Sequence, residues 1–167
     1  MTVTKISILI TGGAGFIGTN LCEYFLSKGY FVVCFDNFAT GHKHNIAEFL
    51  THENFKLIEG DIRDAKKIGI SCKGHDAFVS LACISNDASF ELDEHLSTSV
   101  NLDAFEPMVI AAKEAGIKRF IYASSCSVYG YTVDELYDES SPTTCAYPYG
   151  ISKLQGESGV MQLSDEN

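Results

Sequence analysis

Thr11-Gly12-Gly13-Ala14-Gly15-Phe16-Ile17-Gly18 follows the apolar run Ile6-Ser7-Ile8-Leu9-Ile10 and leads into a helix-like segment, Thr19 to Lys28. A strand, a glycine turn and a helix in that order make a phosphate cradle. Glycines let the backbone turn sharply and come close to a pyrophosphate, and the exposed N–H groups and dipole of the helix bind its charge. The glycines match G-x-G-x-x-G at Gly13, Gly15 and Gly18, and G-x-x-G-x-x-G at Gly12, Gly15 and Gly18. Either pattern alone is weak. Its context adds the preceding strand, the following helix and an acidic residue about 20 positions on, Asp36.

The 167 residues are the size of one domain able to bury a core. With 46% hydrophobic and 20% charged residues, the composition is that of an ordinary soluble globular chain. No apolar run approaches the ~20 residues of a membrane span, and no leader is apparent, so a cytoplasmic location is expected. A net charge of −10 argues against nucleic acid or an anionic membrane as partner. Six cysteines without a C-x-x-C pair read as reduced thiols, several of them small core residues. His42 and His44 flank a lysine in a polar loop and suggest no metal site.

Continuous apolar runs predict strands at 5–10, 30–35, 55–58, 77–82 and 119–123. Helices are expected at 16–28, about 64–69, 91–115 and 147–163, with an amphipathic stretch near 45–50. Gly29 is placed to close the first helix. Pro107 predicts a kink or break just upstream within 91–115. Residues 124–146 read as a polar loop. Strands alternating with helices predict an α/β fold, a doubly wound parallel sheet with helices on both faces.

Asp36 ends the second strand, where its carboxylate can accept hydrogen bonds from both ribose hydroxyls of an adenosine. It would repel a 2′-phosphate, and Asn37, Phe38 and Ala39 offer no arginine to receive one, so NAD is favoured over NADP. Asp61, at the end of the third strand, could cap the next segment or touch the adenine. Tyr149 and Lys153 are four apart and share a helical face. A phenol is a poor base at neutral pH. A nearby ammonium and a cationic nicotinamide would lower its pKa. Ser124, Ser125 and Ser127 lie beyond the carboxyl end of strand five, where ligands of open α/β sheets bind. A serine there can hold a substrate hydroxyl while the tyrosine moves its proton; for Ser124 and Ser127 a plain turn role is kept.

TGGAGFIG, Asp36, Gly60-Asp61-Ile62-Arg63-Asp64, SSCSVYG and YGISK together resemble the extended short-chain dehydrogenase/reductase family. Within it the chain is most similar to the NAD-dependent nucleotide-sugar epimerases and dehydratases, UDP-glucose 4-epimerase-like proteins included. The resemblance implies a Rossmann-type fold, NAD as cofactor and a nucleotide-sugar substrate. It makes Tyr149 the acid/base and Lys153 the residue that binds the nicotinamide ribose and tunes the tyrosine. Matched through Val-Tyr-Gly, the active-site Ser/Thr falls on Ser125. Further cofactor contacts fall on Gly12, Gly15, Phe16, Ile17, Gly18, Asp36, Asn37, Asp61 and Ile62, on the strand-four loop Leu81-Ala82-Cys83, and on Asn101 behind the active site. The resemblance also implies a homodimer through the helices at about 91–115 and 147–163.

Two positions depart from the pattern. Ser80 stands where many relatives have histidine. Cys126 and Ser127 stand where 4,6-dehydratases usually carry Asp-Glu, the acid and base of water elimination. Dehydration is therefore disfavoured and epimerisation or simple oxidation/reduction preferred; the expected function is an epimerase, with a nucleotide-sugar dehydrogenase, reductase or dehydratase, or a non-catalytic NAD-binding module, as alternatives. Family members continue well past the Tyr/Lys helix. The chain reads as an amino-terminal half lacking the C-terminal substrate lobe, expected to bind NAD weakly and to turn over no sugar nucleotide alone.

Overall fold

The computed structural model describes residues 5–131 and 136–164. The expected polar loop 124–146 includes residues 132–135, which lie outside the described residues. The chain divides into two compact units, one formed by residues up to Ala82 with Pro107–Ala123, the other by Cys83–Glu106 with the residues from Ser124 on.

The first unit is a parallel sheet of five strands: β1 (Ser7–Thr11), β2 (Phe31–Asp36), β3 (Phe55–Glu59), β4 (Ala77–Ser80) and β5 (Arg119–Tyr122). Their order is β3-β2-β1-β4-β5, with Ile10 beside Cys34 and Val79. β1 and β2 are apolar on both faces and both are buried, the pattern of a central parallel strand. On one face Ile8, Ile10, Val32, Cys34 and Val79 pack with Cys22 and Leu26 of helix α1 (Phe16–Ser27) and with Ile46 of the 3-10 helix Lys43–Phe49. The alternate residues Leu9, Val33, Phe35 and Phe78 point to the other face. There Phe78 stacks on Phe120 of β5, ring centroids 4.8 Å apart. Ile68 and Cys72 of helix α2 (Ala65–Cys72) are buried in the same unit, and burial pushes the Cys72 thiol up to about 12. α1 stops where expected, Gly29 taking φ +81° and donating to the Leu26 carbonyl.

The second unit contains helices α3 (Asp87–Leu92), α4 (Glu94–Thr98) and α6 (Pro148–Leu163), and the 3-10 turn Cys126–Tyr129. Helix α5 (Phe105–Glu114) begins in this unit and runs into the first. The helical region expected over 91–115 is several pieces, with a π-helical turn at Ser99–Asp103. Pro107 falls in the first turn of α5, where its missing N–H has no intrahelical acceptor to lose. The break is upstream, as its position predicts.

At the amino-terminal edge of the sheet, the Ser7 hydroxyl and His75 Nδ1 are hydrogen-bonded and the imidazole stacks on Phe31. Ser7 N and Lys118 Nζ both donate to the Asp76 carboxylate. Burial first, then the Lys56 charge, holds His75 below its ordinary value of 6.5, and Asp76 opposes the shift. Below 6.5 the unfolded chain takes up a proton that the folded chain resists, so this contribution is present above that pH and lost as pH falls toward the folded value. The thermal midpoint is expected to fall between about pH 7 and pH 5, and His75→Gln to flatten that slope. An unchanged slope in the variant would remove His75 from the account.

Candidate functional site

The glycine turn ends β1 and starts α1. Gly12 has φ +71°, and a Cβ on it would lie 2.9 Å from the Ala82 amide nitrogen. A Cβ on Gly18 would overlap the Gly12 carbonyl oxygen and come within 2.6 Å of Gly13 Cα. The turn therefore closes only without side chains at both places. Gly15 is the N-cap of α1 in extended conformation, and no side chain caps the helix. First-turn N–H groups have no intrahelical acceptor. Phe16, Ile17 and Gly18 thus present backbone donors at the positive end of a 12-residue helix, which fits the pyrophosphate of a dinucleotide, while Gly15 N donates to the Gly12 carbonyl at 3.1 Å and closes the turn. Phe16 and Ile17 are 86% and 59% exposed, so their side chains leave the core to Cys22 and Leu26.

Asp36 is buried and fixed from two sides. Its Oδ2 accepts from Ala14 N of the glycine turn at 2.9 Å, and its Oδ1 from Phe38 N at 2.8 Å. Each oxygen keeps a second lone pair for a ribose hydroxyl. Phe38 has φ +59°, uncommon for a residue with a Cβ, and the Asp36 hydrogen bond holds it there. Ala14 O accepts from His42 N at 3.2 Å and from Asn45 Nδ2 at 2.8 Å. Nothing in the sequence marked Asn45. Thr11 Oγ1 accepts from Leu81 N and Ala82 N at 3.3 and 3.5 Å, so the strand-four exit is tied to the residue before the turn.

Asp61 is occupied by the protein. Arg63 N and Nε donate to its Oδ1, both at 2.9 Å, while Arg63 Nη2 and Asn37 Nδ2 donate to its Oδ2 at 2.7 and 3.1 Å. These four bonds use the four acceptor positions of a carboxylate. The Arg63 hydrogen bond, first among the causes, lowers Asp61 to about 2. The helix-capping role considered for Asp61 belongs to Asp64, whose Oδ1 accepts from Lys67 N at 2.9 Å. Ile62 beside it is buried. The Arg63 pairing was missed because a two-residue turn bringing side chain onto side chain leaves no periodic signal.

In the second unit, Tyr149, Ser152, Lys153 and Gly156 are the buried residues at i, i+3, i+4 and i+7 of α6, with Gly150 beside them. Lys153 is 4% exposed, its Nζ 5.7 Å from the centroid of the Tyr149 ring. Ser125 N-caps the 3-10 turn, its hydroxyl accepting from Ser127 N at 3.2 Å and hydrogen-bonded to the Tyr149 phenol. Gly150 lets that turn approach: a Cβ there would meet the Ser127 carbonyl oxygen at 2.7 Å and Cys145 Cβ at 3.0 Å. Ser125, Tyr149 and Lys153 come together. Ser127 bonds Ser125, fitting the turn role kept for it, whereas the Ser124 hydroxyl oxygen is buried without a hydrogen-bond partner.

Tyr149 departs from expectation. Its pKa is raised, by burial first and then by the Cys83, Asp87 and Cys126 charges, while the Ser125 hydrogen bond pulls it down without offsetting them. The expected lowering counted the Lys153 ammonium together with a cationic nicotinamide, and took no account of the burial and acidic groups that folding brings beside the phenol. Asn101, assigned to the helix behind the active site and to cofactor contact, clamps Ile84: Oδ1 accepts from Ile84 N at 2.8 Å and Nδ2 donates to Ile84 O at 3.0 Å. Its Nδ2 also donates to Ser152 Oγ at 3.4 Å, and Ser152 Oγ donates to the Tyr149 carbonyl at 2.7 Å. Cys83, just before Ile84, has its Sγ 3.6 Å from Ser85 Oγ.

Sheet order, glycine turn and strand-end aspartate place the chain in the class of Rossmann-type dinucleotide-binding α/β proteins. Residues 8–167 match the NAD dependent epimerase/dehydratase family, and the chain belongs to it. It is 35% identical over 149 residues to the low-salt glycan biosynthesis protein Agl12 of Haloferax volcanii, covering 87% of this chain and 48% of that protein. To the UDP-glucose 4-epimerase of Rhizobium leguminosarum bv. trifolii it is 32% identical, covering 88% and 44%. Among solved structures, the dTDP-glucose 4,6-dehydratase DesIV of Streptomyces venezuelae, crystallised with NAD, superposes with a TM-score of 0.88 at 28% identity, over 94% of this chain and 51% of that one. The chain spans about half the length of the curated relatives it matches. No helix among the described residues is long and apolar enough to cross a membrane.

Gly18→Ala is expected to cost about 1–3 kcal/mol or more, because the new methyl must displace the Gly12 carbonyl. Denaturant unfolding reads the loss. An unchanged midpoint would show that the turn is not closed as described.

Proposed function

We propose that this chain carries the cofactor-binding and acid–base parts of an NAD-dependent nucleotide-sugar epimerase. The observation that carries the reading is the convergence of Ser125, Tyr149 and Lys153, two of them on the buried face of one helix. NAD, when bound, supplies the hydride acceptor and, for an epimerase, returns the hydride to the sugar carbon. Tyr149 takes the proton from the sugar hydroxyl as its carbon is oxidised and gives it back on reduction. Ser125 steadies that oxygen, and Lys153 holds the ribose and favours the phenolate when the proton has moved. The backbone amides of Phe16 to Gly18 bind the pyrophosphate, Asp36 the adenosine ribose, and the Leu81-Ala82-Cys83 segment passes alongside.

Epimerisation is preferred to dehydration because Cys126 is exposed and the Ser127 hydroxyl is engaged with Ser125. Neither supplies the carboxyl acid and base that water elimination uses. A homodimer through the helices of 91–115 and α6 belongs to the same reading, with Leu92 and Met161 as exposed apolar side chains there.

Calorimetric titration of the 167-residue chain is expected to show NAD binding at least about tenfold tighter than NADP, the effect of one close like-charge contact at Asp36. Equal affinities would remove Asp36 from its assigned role. In the full-length gene product, Tyr149→Phe is expected to slow hydride transfer from UDP-, GDP- or dTDP-sugars by about 10²–10⁴-fold with NAD affinity little changed. Retention of the rate, followed by NADH absorbance, would sink the assignment.

A further inference from the structure

We propose that Asp87 is a positioning residue for the Tyr149 chemistry: its carboxylate clasps the first turn of α6 and keeps a negative charge beside the phenol. The proposal rests on Tyr149 being the acid/base. At the start of α6 the N-cap is Tyr147, which offers no capping side chain, and the next residue, Pro148, has no N–H. The next amide is that of Tyr149. It donates to Asp87 Oδ1 at 3.0 Å in a part-buried bond. Asp87 does for α6 what a local Ser or Asp does for most helices, from another helix 62 residues away in sequence.

The approach to Asp87 is itself strained. Asn86 has φ 64° and ψ 159°, a region nearly closed to residues with a Cβ, and its side chain accepts from Ser89 N at 2.9 Å to start α3. The chain bends there to present the next carboxylate to α6.

The groups facing the phenol are Asp87 from α3, Cys83 from the segment before α3, Ser125 and Cys126 from the 3-10 turn, and Lys153 from α6 itself. Asp87 is the carboxylate among them. It opposes ionisation of Tyr149, in concert with burial. Burial comes first among the causes that hold the phenol protonated, and Asp87 adds to it from the carboxylate bonded at the Tyr149 amide.

Asp87→Asn separates the two roles, since it keeps an oxygen to accept from Tyr149 N and removes the charge. Tyrosinate absorbance, titrated for each protein against its own Tyr149→Phe partner, isolates Tyr149 without cofactor or sugar. Asp87→Asn is expected to raise the acid dissociation constant of Tyr149 by about threefold or more, with a thermal midpoint close to that of the parent chain. Asp87→Ser, neutral and shorter, is expected to shift the titration the same way while melting earlier, and it carries the test if Asp87→Asn does not fold. Titration at the parent pH in a folded neutral variant would overturn the proposal. That result would leave the acid/base reading intact, because hydride transfer in Tyr149→Phe tests that separately.

Discussion

The first unit depends on one carboxylate. Asp36 sits buried at the end of β2 and would be costly there without partners. Ala14 N and Phe38 N supply them, one from each side. The bond to Ala14 ties the glycine turn to β2, and the bond to Phe38 holds the next loop in a left-handed conformation that a phenylalanine would otherwise avoid. Charge-assisted hydrogen bonds of this kind are worth roughly 1.5–3 kcal/mol each. The carboxylate geometry at the end of β2 is therefore part of what holds the turn in place.

The second unit is organised by hydrogen bonds around α6. Its apolar periodicity is poor, and its buried face is built from Tyr149, Ser152, Lys153 and two glycines. What positions it is polar: Asp87 on its first free amide, Ser152 bonded back to Tyr149 O, and Asn101 joining Ser152 to the Ile84 backbone. A buried lysine is expensive unless its environment compensates, and here its ammonium lies over the Tyr149 ring. The tyrosine is poised between opposing influences, with burial and anionic neighbours against the Ser125 hydrogen bond.

Much of the fold was legible because its signals are local. β1 and β2 read as unbroken apolar runs, Gly29 ended α1, and Pro107 marked a discontinuity. Within 91–115 the π-helical turn at Ser99–Asp103 left no signal of its own, since it keeps helical periodicity while breaking the hydrogen-bond ladder. The site was legible where residue type and spacing coincide, as in Tyr149 and Lys153. Asn45, Arg63, Ser152 and Asp87 were not, because each acts through a hydrogen bond that no spacing announces.

The order of apolar runs and turns by itself determined a parallel α/β sheet opened by a glycine turn, since burial on both faces and the need for φ > 0 are written into residue types. Only the tertiary structure decided the electrostatics. Asp61 is spent on Arg63 and Asn37, Asn101 on Ile84 and Ser152, and Tyr149 is pushed up where an isolated Tyr–Lys pair would be pulled down. The physical reason is range: propensity acts over a few bonds of the chain, whereas a charge acts on whatever folding places beside it, however far away in sequence.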